Sequence, residues 1–266
     1  QLLELFFGLE AKNVLKRTMI SIICVYNNKN ILENYLLKSL KNQTVKFEFI
    51  GIDNTKGQFK SAAEALNYGG GQAKGEYLMF VHQDVDLSSN TWLEEVKKIL
   101  DKLSNLGIAG IAGKSEDEGE VITNIKHDNP PRLAGKIQIK KPTKVQTVDE
   151  CLMIIPKSVF NKLRFDEDTC DNWHLYAVDY CLSVKRLGFD SYVMPIFVYH
   201  KSSGYSMSEK YFVTLKKVLK KHKSCYNKIY TTMGDWSTRY PLNIKIIYLW
   251  IRRKVGIILK SIKIIK

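Results

Sequence analysis

Residues 61–86 read SAAEALNYGGGQAKGEYLMFVHQDVD, and this stretch decides the fold. Ser61–Ala73 has helical spacing that stops at the glycines 69–71. Tyr77–Val81 is a short apolar run, which predicts a buried strand. Just beyond it, Asp84-Val85-Asp86 places two carboxylates at i and i+2. At a tight turn such a pair can converge on one hard cation that also bridges phosphate oxygens. Turn and cap acids take the same spacing, so the triplet alone does not decide.

The alternation continues on both sides. Ile20–Tyr26 (ISIICVY), Phe47–Ile52 and Ile108–Ala112 predict further strands, and residues 30–41 and 90–103 predict helices between them. Strand, helix and short link in turn indicate an α/β chain with a Rossmann-like, mostly parallel sheet flanked by helices. Ligands of such sheets bind outside the carboxyl ends of the strands. That singles out Asn27-Asn28, Asp53-Asn54 and the segment 82–86. Residues 114–147 are polar and predict loops or short strands. A strand at 151–155, a helix at 173–187, a strand at 192–199 and a basic helix at 208–223 follow. Two glycine-rich phosphate motifs fail. Asn27-Asn28-Lys29 stands where G-x-G-x-x-G would need glycines, and Ile108 stands where a Walker loop ending at Gly113-Lys114-Ser115 needs one.

Several spaced runs together resemble the family 2 glycosyltransferases of GT-A type. They are the opening ISIICVYNN, then Phe49–Asn54, the long run from Ser61 to Val85, the block from Trp173 to Leu182, and finally Gly188 and Val198–His200. The similarity spans residues 19–205, in the family's order. It is closest to a branch that writes His-Gln-Asp where others write Asp-Asp-Asp.

The resemblance implies an inverting transfer of sugar from a nucleotide-diphosphate sugar, most readily a UDP-sugar, to a hydroxyl of a glycan or lipid-linked acceptor, as in surface polysaccharide assembly. It implies that Val25, Tyr26, Asn28, Asp53, Asn67, Gln83 and Asp84 hold the nucleotide sugar. Asp53 would also suit a plain turn, and the glycines after Asn67 a plain helix cap. It implies Mn²⁺ or Mg²⁺ on Asp84 and His200, with Asp86 as a further candidate. Trp173, His174 and Tyr176 are the candidate acceptor platform, or packing residues. Asp179 is the implied general base. Helical periodicity puts it on a polar face with Asn172, Tyr176, Ser183 and Arg186, so it is expected to point away from the core. A solvated helix acid would occupy the same face.

Composition fits an ordinary globular chain: 45% of the 266 residues are hydrophobic and 26% charged, which excludes a wholly disordered protein. Five cysteines without a C-x-x-C pair argue against a disulfide scaffold or structural zinc, and a reducing compartment is expected. The net charge of +14 lies entirely in the last 66 residues, where 16 Lys and Arg face two acids. Within 241–266, isoleucines share one helical sector and basic residues the other, the design of a helix lying in an anionic membrane surface. Docking of the Ile face on the domain is the alternative. The expected organisation is an N-terminal helical extension (1–18), a glycosyltransferase domain (19–205) and a basic helical region (206–266) ending in the amphipathic helix. The N-terminus lacks the layout of a secretory signal, and no run is apolar enough for a membrane-spanning helix. The expected location is therefore cytoplasmic, peripheral at the inner face of the cell membrane. A nucleic-acid-binding protein would also use a basic tail, but the tail's neighbours are isoleucines rather than base-stacking aromatics, so nucleic acid is not expected as a partner. A non-catalytic glycan-binding relative is the third alternative. Retention of Asp84, Asp179 and His200 argues against it.

Overall fold

The computed structural model describes residues 19–116, 119–202 and 207–244. The expected N-terminal extension and nearly all of the amphipathic tail lie outside the described residues.

Seven strands form the central sheet, in the order Thr143–Val145, Asp190–Val193, Leu106–Gly110, Leu152–Pro156, Tyr77–Val81, Ile20–Tyr26, Phe47–Asp53. Five run in one direction. Leu152–Pro156 and the edge strand Thr143–Val145 oppose them. The apolar run at 20–26 is continuous because both faces of the sheet are covered. Ile23 points into one core, with the helices Ala62–Gln72, Tyr176–Arg186 and Glu209–His222. Its neighbours Ile22 and Cys24 point into the other, with Leu32, Leu36 and the helix Trp92–Leu100.

Local chemistry sets the element ends. Ser61 Oγ accepts the N–H of Glu64, capping the helix Ala62–Gln72. Gly75, just before the strand Tyr77–Val81, lies so close to the first strand that a Cβ would fall 2.6 Å from the Met19 carbonyl oxygen and 2.7 Å from the Ser21 nitrogen. Only glycine fits there.

A small four-stranded sheet stands beside the large one, ordered Val85–Asp86, Val198–His200, Ile125–His127, Arg132–Leu133. It pairs Val85 directly with His200. The polar segment 114–147 contributes only short strands, as its composition predicts.

Two expectations about the C-terminal part are corrected. The body does not end near residue 205, and residues 228–237 are not helical. The helix Glu209–His222 buries Tyr211, Leu215, Val218 and Leu219 in the main core. Lys228–Thr231 and Gly234–Ser237 then form an antiparallel hairpin whose Trp236 is fully buried against Tyr211 and Phe212. Alternation of Ile229 and Trp236 with polar residues is a strand signal that the high charge of the segment obscured. Among the described residues no helix is long and apolar enough to cross a membrane.

Candidate active site

The carboxyl ends of Ile20–Tyr26, Phe47–Asp53 and Tyr77–Val81 open onto a cleft of about 670 Å³. Val25, Tyr26, Asn27, Asn54 and Thr55 form one wall, Phe59, Ala62 and Leu66 an apolar side, and His82, Gln83 and Asp84 the base. Trp173, Tyr176 and Glu150 close the far end. A second cavity of about 260 Å³ shares His82, Glu150 and Trp173 with the cleft. Its remaining lining includes Asp149, His174, His200 and the hairpin turn Thr231–Met233.

Where the two cavities meet, one donor atom from each of His82, Asp84 and His200 lies within 4.8 Å of the others. Topology brings them together. A tight turn follows the strand Tyr77–Val81, with Val85 N–H donating to the His82 carbonyl. The pairing of Val85 with His200 then closes the cluster from the other side. His200 Nε2 is 3.2 Å from Asp84 Oδ1 yet lacks hydrogen-bond geometry and is closed from solvent. His82 Nε2 is 3.1 Å from the Tyr176 hydroxyl. Burial, followed by repulsion from His200, lowers the His82 imidazole to about 4, which favours its neutral form. Burial alone would raise the Asp84 carboxyl, but the proximity and charge of His200 and then His82 hold it below the usual carboxylate range. Two imidazoles and a carboxylate, with one imidazole nitrogen lacking a hydrogen bond in the interior, are a donor set that fits a divalent cation.

The expected site residues divide. Val25, Tyr26, Gln83 and Asp84 line the cleft. Gln83 accepts the N–H groups of Asn27 and Asn28 and donates to Asn27 Oδ1, fixing the loop after the first strand. Asp53 pairs with Tyr26 across the sheet and its carboxylate takes the N–H and hydroxyl of Thr55, so it braces the wall formed by Asn54 and Thr55. Trp173 and Tyr176 line the cleft, and Trp173, 41% exposed, borders both cavities. His174 faces the second cavity only, its Nε2 3.1 Å from Ser208 Oγ.

Four expected site residues lie outside the cleft, and the outward orientation expected of Asp179 is corrected. Asn28 caps the following helix by accepting the Ile31 N–H. Asn67 is a staple: it accepts the Phe165 N–H and donates to the Phe165 carbonyl and to Glu167, and it is not among the residues lining the cleft. Asp86 accepts the Ser88 N–H and is outside the metal cluster. Asp179 does not point to solvent or into either cavity. It is 2% exposed, with Oδ2 2.7 Å from Lys221 Nζ and Oδ1 2.8 Å from His222 Nε2. The helix Glu209–His222 covers the polar face on which Asp179 lies.

Sequence reasoning missed His82, Asp149 and Glu150. His82 stood in plain view in His-Gln-Asp, and imidazole is a common metal donor. Asp149 and Glu150 precede their strand. Because Leu152–Pro156 runs against its neighbours, its beginning faces the site where the other strands end.

Comparison with known proteins bears on the fold and the family. The family described as "Glycosyltransferase like family" matches residues 20–228. Among curated proteins, "ATP synthase subunits region ORF 6" of Fuscovulum blasticum is 24% identical over 167 residues, 58% of this chain and 63% of that protein. Among solved structures, GalNAc-T7 with UDP, GalNAc and Mn²⁺ superposes with a TM-score of 0.55 at 14% identity, over 76% of this chain and 48% of that one. The Staphylococcus aureus TarS fragment 1–349 with UDP-GlcNAc gives 0.54 at 14%, over 76% and 65%. The mannosyltransferase PcManGT from Pyrobaculum calidifontis with GDP-Man and Mn²⁺ gives 0.53 at 14%, over 84% and 72%. This chain thus spans less than two thirds of the curated relative and about half of the GalNAc-T7 structure. At these identities the structures attest the fold, GT-A, and the family match over most of the chain attests the family. The chain belongs to the glycosyltransferase-like family.

Proposed function

We propose that this protein is a metal-dependent, inverting glycosyltransferase that moves a hexose-type sugar from a nucleotide-diphosphate sugar, a UDP-sugar in the first instance, to a hydroxyl of a glycan or lipid-linked acceptor in surface polysaccharide assembly. The observation that carries the reading is the His82, Asp84 and His200 cluster at the base of a cleft walled by Val25 and Tyr26. The nucleotides, nucleotide sugars and Mn²⁺ present in the similar structures support it. Two imidazoles with one carboxylate suit Mn²⁺ better than Mg²⁺, which prefers an all-oxygen shell. Bound there, the ion would supply Lewis-acid stabilisation of the leaving diphosphate. The residues do the rest. Tyr26, Asn54 and Thr55 offer a ring and polar groups for the base and ribose, and Gln83 keeps that wall in place. Trp173 and His174 present ring faces to a sugar from the second-cavity side.

The basic, isoleucine-faced segment 241–266 supports placement at an anionic membrane, at the inner face of the cell membrane. Deleting 245–266 should reduce co-sedimentation with anionic vesicles, and equal pelleting of both forms would remove the membrane reading. The catalytic reading is tested by screening UDP-, GDP- and dTDP-sugars for nucleoside diphosphate release with and without Mn²⁺. Release that requires both one donor and the metal is the expected result, and absence of release from every donor would sink the proposal.

A further inference from the structure

The carboxylates near the junction of the two cavities can be compared by what each oxygen already does. Asp84 belongs to the metal cluster. Asp149 accepts the Cys151 N–H on Oδ1 and the Thr232 hydroxyl on Oδ2, which ties the hairpin turn to the body. Asp179 is held by Lys221 and His222. Glu150 differs. It lines both cavities, and its Oε1, closed from solvent, has no hydrogen-bond partner among the described residues.

The backbone around Glu150 is unusual too. Leu175 has φ +64°, a left-handed conformation that a leucine rarely adopts. That turn starts the eleven-residue helix Tyr176–Arg186, and the N–H groups of Tyr176, Ala177 and Leu175 are directed at the Glu150 carboxyl. Strained backbone of this kind persists where the surrounding structure enforces it, often at functional sites. Helix N–H groups also stabilise a carboxylate in its ionised form.

We infer that Glu150, not Asp179, is the general base of the transfer, poised between a donor in the cleft and an acceptor in the second cavity. This rests on the glycosyltransferase reading above. The acceptor hydroxyl gives its proton to the Glu150 carboxylate. The acceptor oxygen forms a bond to the anomeric carbon, and the bond from that carbon to the diphosphate oxygen breaks, the electron pair leaving with the nucleoside diphosphate. One displacement inverts the anomeric centre, and Glu150 ends neutral.

Burial, with a smaller contribution from Asp149, pushes the Glu150 carboxyl up to about 8, and the three N–H groups oppose that rise. Asp149, Tyr176, Cys170 and Tyr211 are the titratable groups whose interaction with it is felt. A base so raised accepts a proton more readily than an ordinary carboxylate once it is ionised. A carboxyl whose folded pKa lies above its unfolded value contributes stability that is full below about 4.5 and is lost as pH rises through about 8.

The test is Glu150→Gln in the full chain, with Asp179→Asn beside it. The probes are the UDP-sugar identified in the donor screen, Mn²⁺ and alkyl β-glycosides as acceptors. We expect Glu150→Gln to bind UDP within about twofold of wild type and to lose about 10²–10⁴-fold in transfer. The wild-type rate should rise with pH toward 8 while the variant's is flat. The melting temperature of Glu150→Gln at pH 8.5 should equal or exceed that of wild type. Near wild-type transfer by Glu150→Gln overturns the inference and leaves the glycosyltransferase reading intact. A marked drop in its melting temperature at pH 8.5 also overturns it, because Glu150 is then a cap. If wild type transfers nothing from any donor, the glycosyltransferase reading falls and this inference with it.

Discussion

His222 Nε2 lies 2.8 Å from Asp179 Oδ1, in a pair withdrawn from solvent between the helices Tyr176–Arg186 and Glu209–His222. Lys221 completes the arrangement, bridging Asp179 and Asp166 at 2.7 Å each. Removing one partner of a buried pair leaves the others uncompensated, at a cost of roughly 3–5 kcal/mol. Asp179→Ala should therefore lower the melting temperature by about 6 °C or more. Nucleotide affinity below the transition should be unchanged. Calorimetric unfolding checks the first point, and an unaltered melting temperature would show that the pair is not structural.

The Tyr176 hydroxyl lies 3.1 Å from His82 Nε2, within reach of the ring N–H. Partners of this kind orient a metal-binding imidazole, and their loss typically weakens the metal 10–100-fold. Tyr176→Phe should weaken Mn²⁺ to that extent, and Asp84→Ala should abolish Mn²⁺-dependent UDP binding. Titration of Mn²⁺ by electron paramagnetic resonance separates the two. Wild-type affinity in Asp84→Ala would exclude the cluster as the metal site.

Burial raises the Asp166 carboxyl, but hydrogen bonds from Lys221 and Thr169 outweigh it and bring the group to about 2. A depressed carboxyl contributes stability that is present above about 3.8 and lost as pH falls through about 2. Asp166→Asn should thus melt lower than wild type at pH 6, and the gap should close as the pH approaches 2. A gap that does not change with pH would assign the effect to something other than ionisation.

The hairpin gives a truncation test. A chain ending at 240 keeps Trp236 between Tyr211 and Phe212 and should fold, whereas one ending at 227 loses it. Trp236→Ala alone should cost about 3–5 kcal/mol. Circular dichroism melts of the three proteins decide this, and equal stability of the 227 and 240 forms would detach the hairpin from the core.

Much of the sheet was legible because its strands are short, apolar and separated by capped helices. Ser61 and the run to Val81 announced themselves by spacing alone. Asp84 and His200 were recognisable through the family pattern, although only the pairing of Val85 with His200 explains why they meet. Asp179 was misplaced because a helical face reads as polar whether water or a second polar helix lies against it. Lys221 and His222, more than forty residues on, supply that second layer. Asp149 and Glu150 went unnoticed because strand direction was assumed, and one reversed strand brings its beginning to the site.

That reversed strand also orders events during synthesis. Leu106–Gly110 is buried along its whole length, yet both of its sheet neighbours, Leu152–Pro156 and Asp190–Val193, are made later. Tyr77–Val81 likewise waits for Leu152–Pro156 on its open side. A nascent chain of the first 150 residues therefore carries two apolar strands with unfilled edges. Such edges are templates for mispairing with other chains. Emergence of residues 152–156 fills the gap between Tyr77–Val81 and Leu106–Gly110, so the strand that brings Glu150 to the site also joins the two halves, and only the edge awaiting Asp190–Val193 stays open.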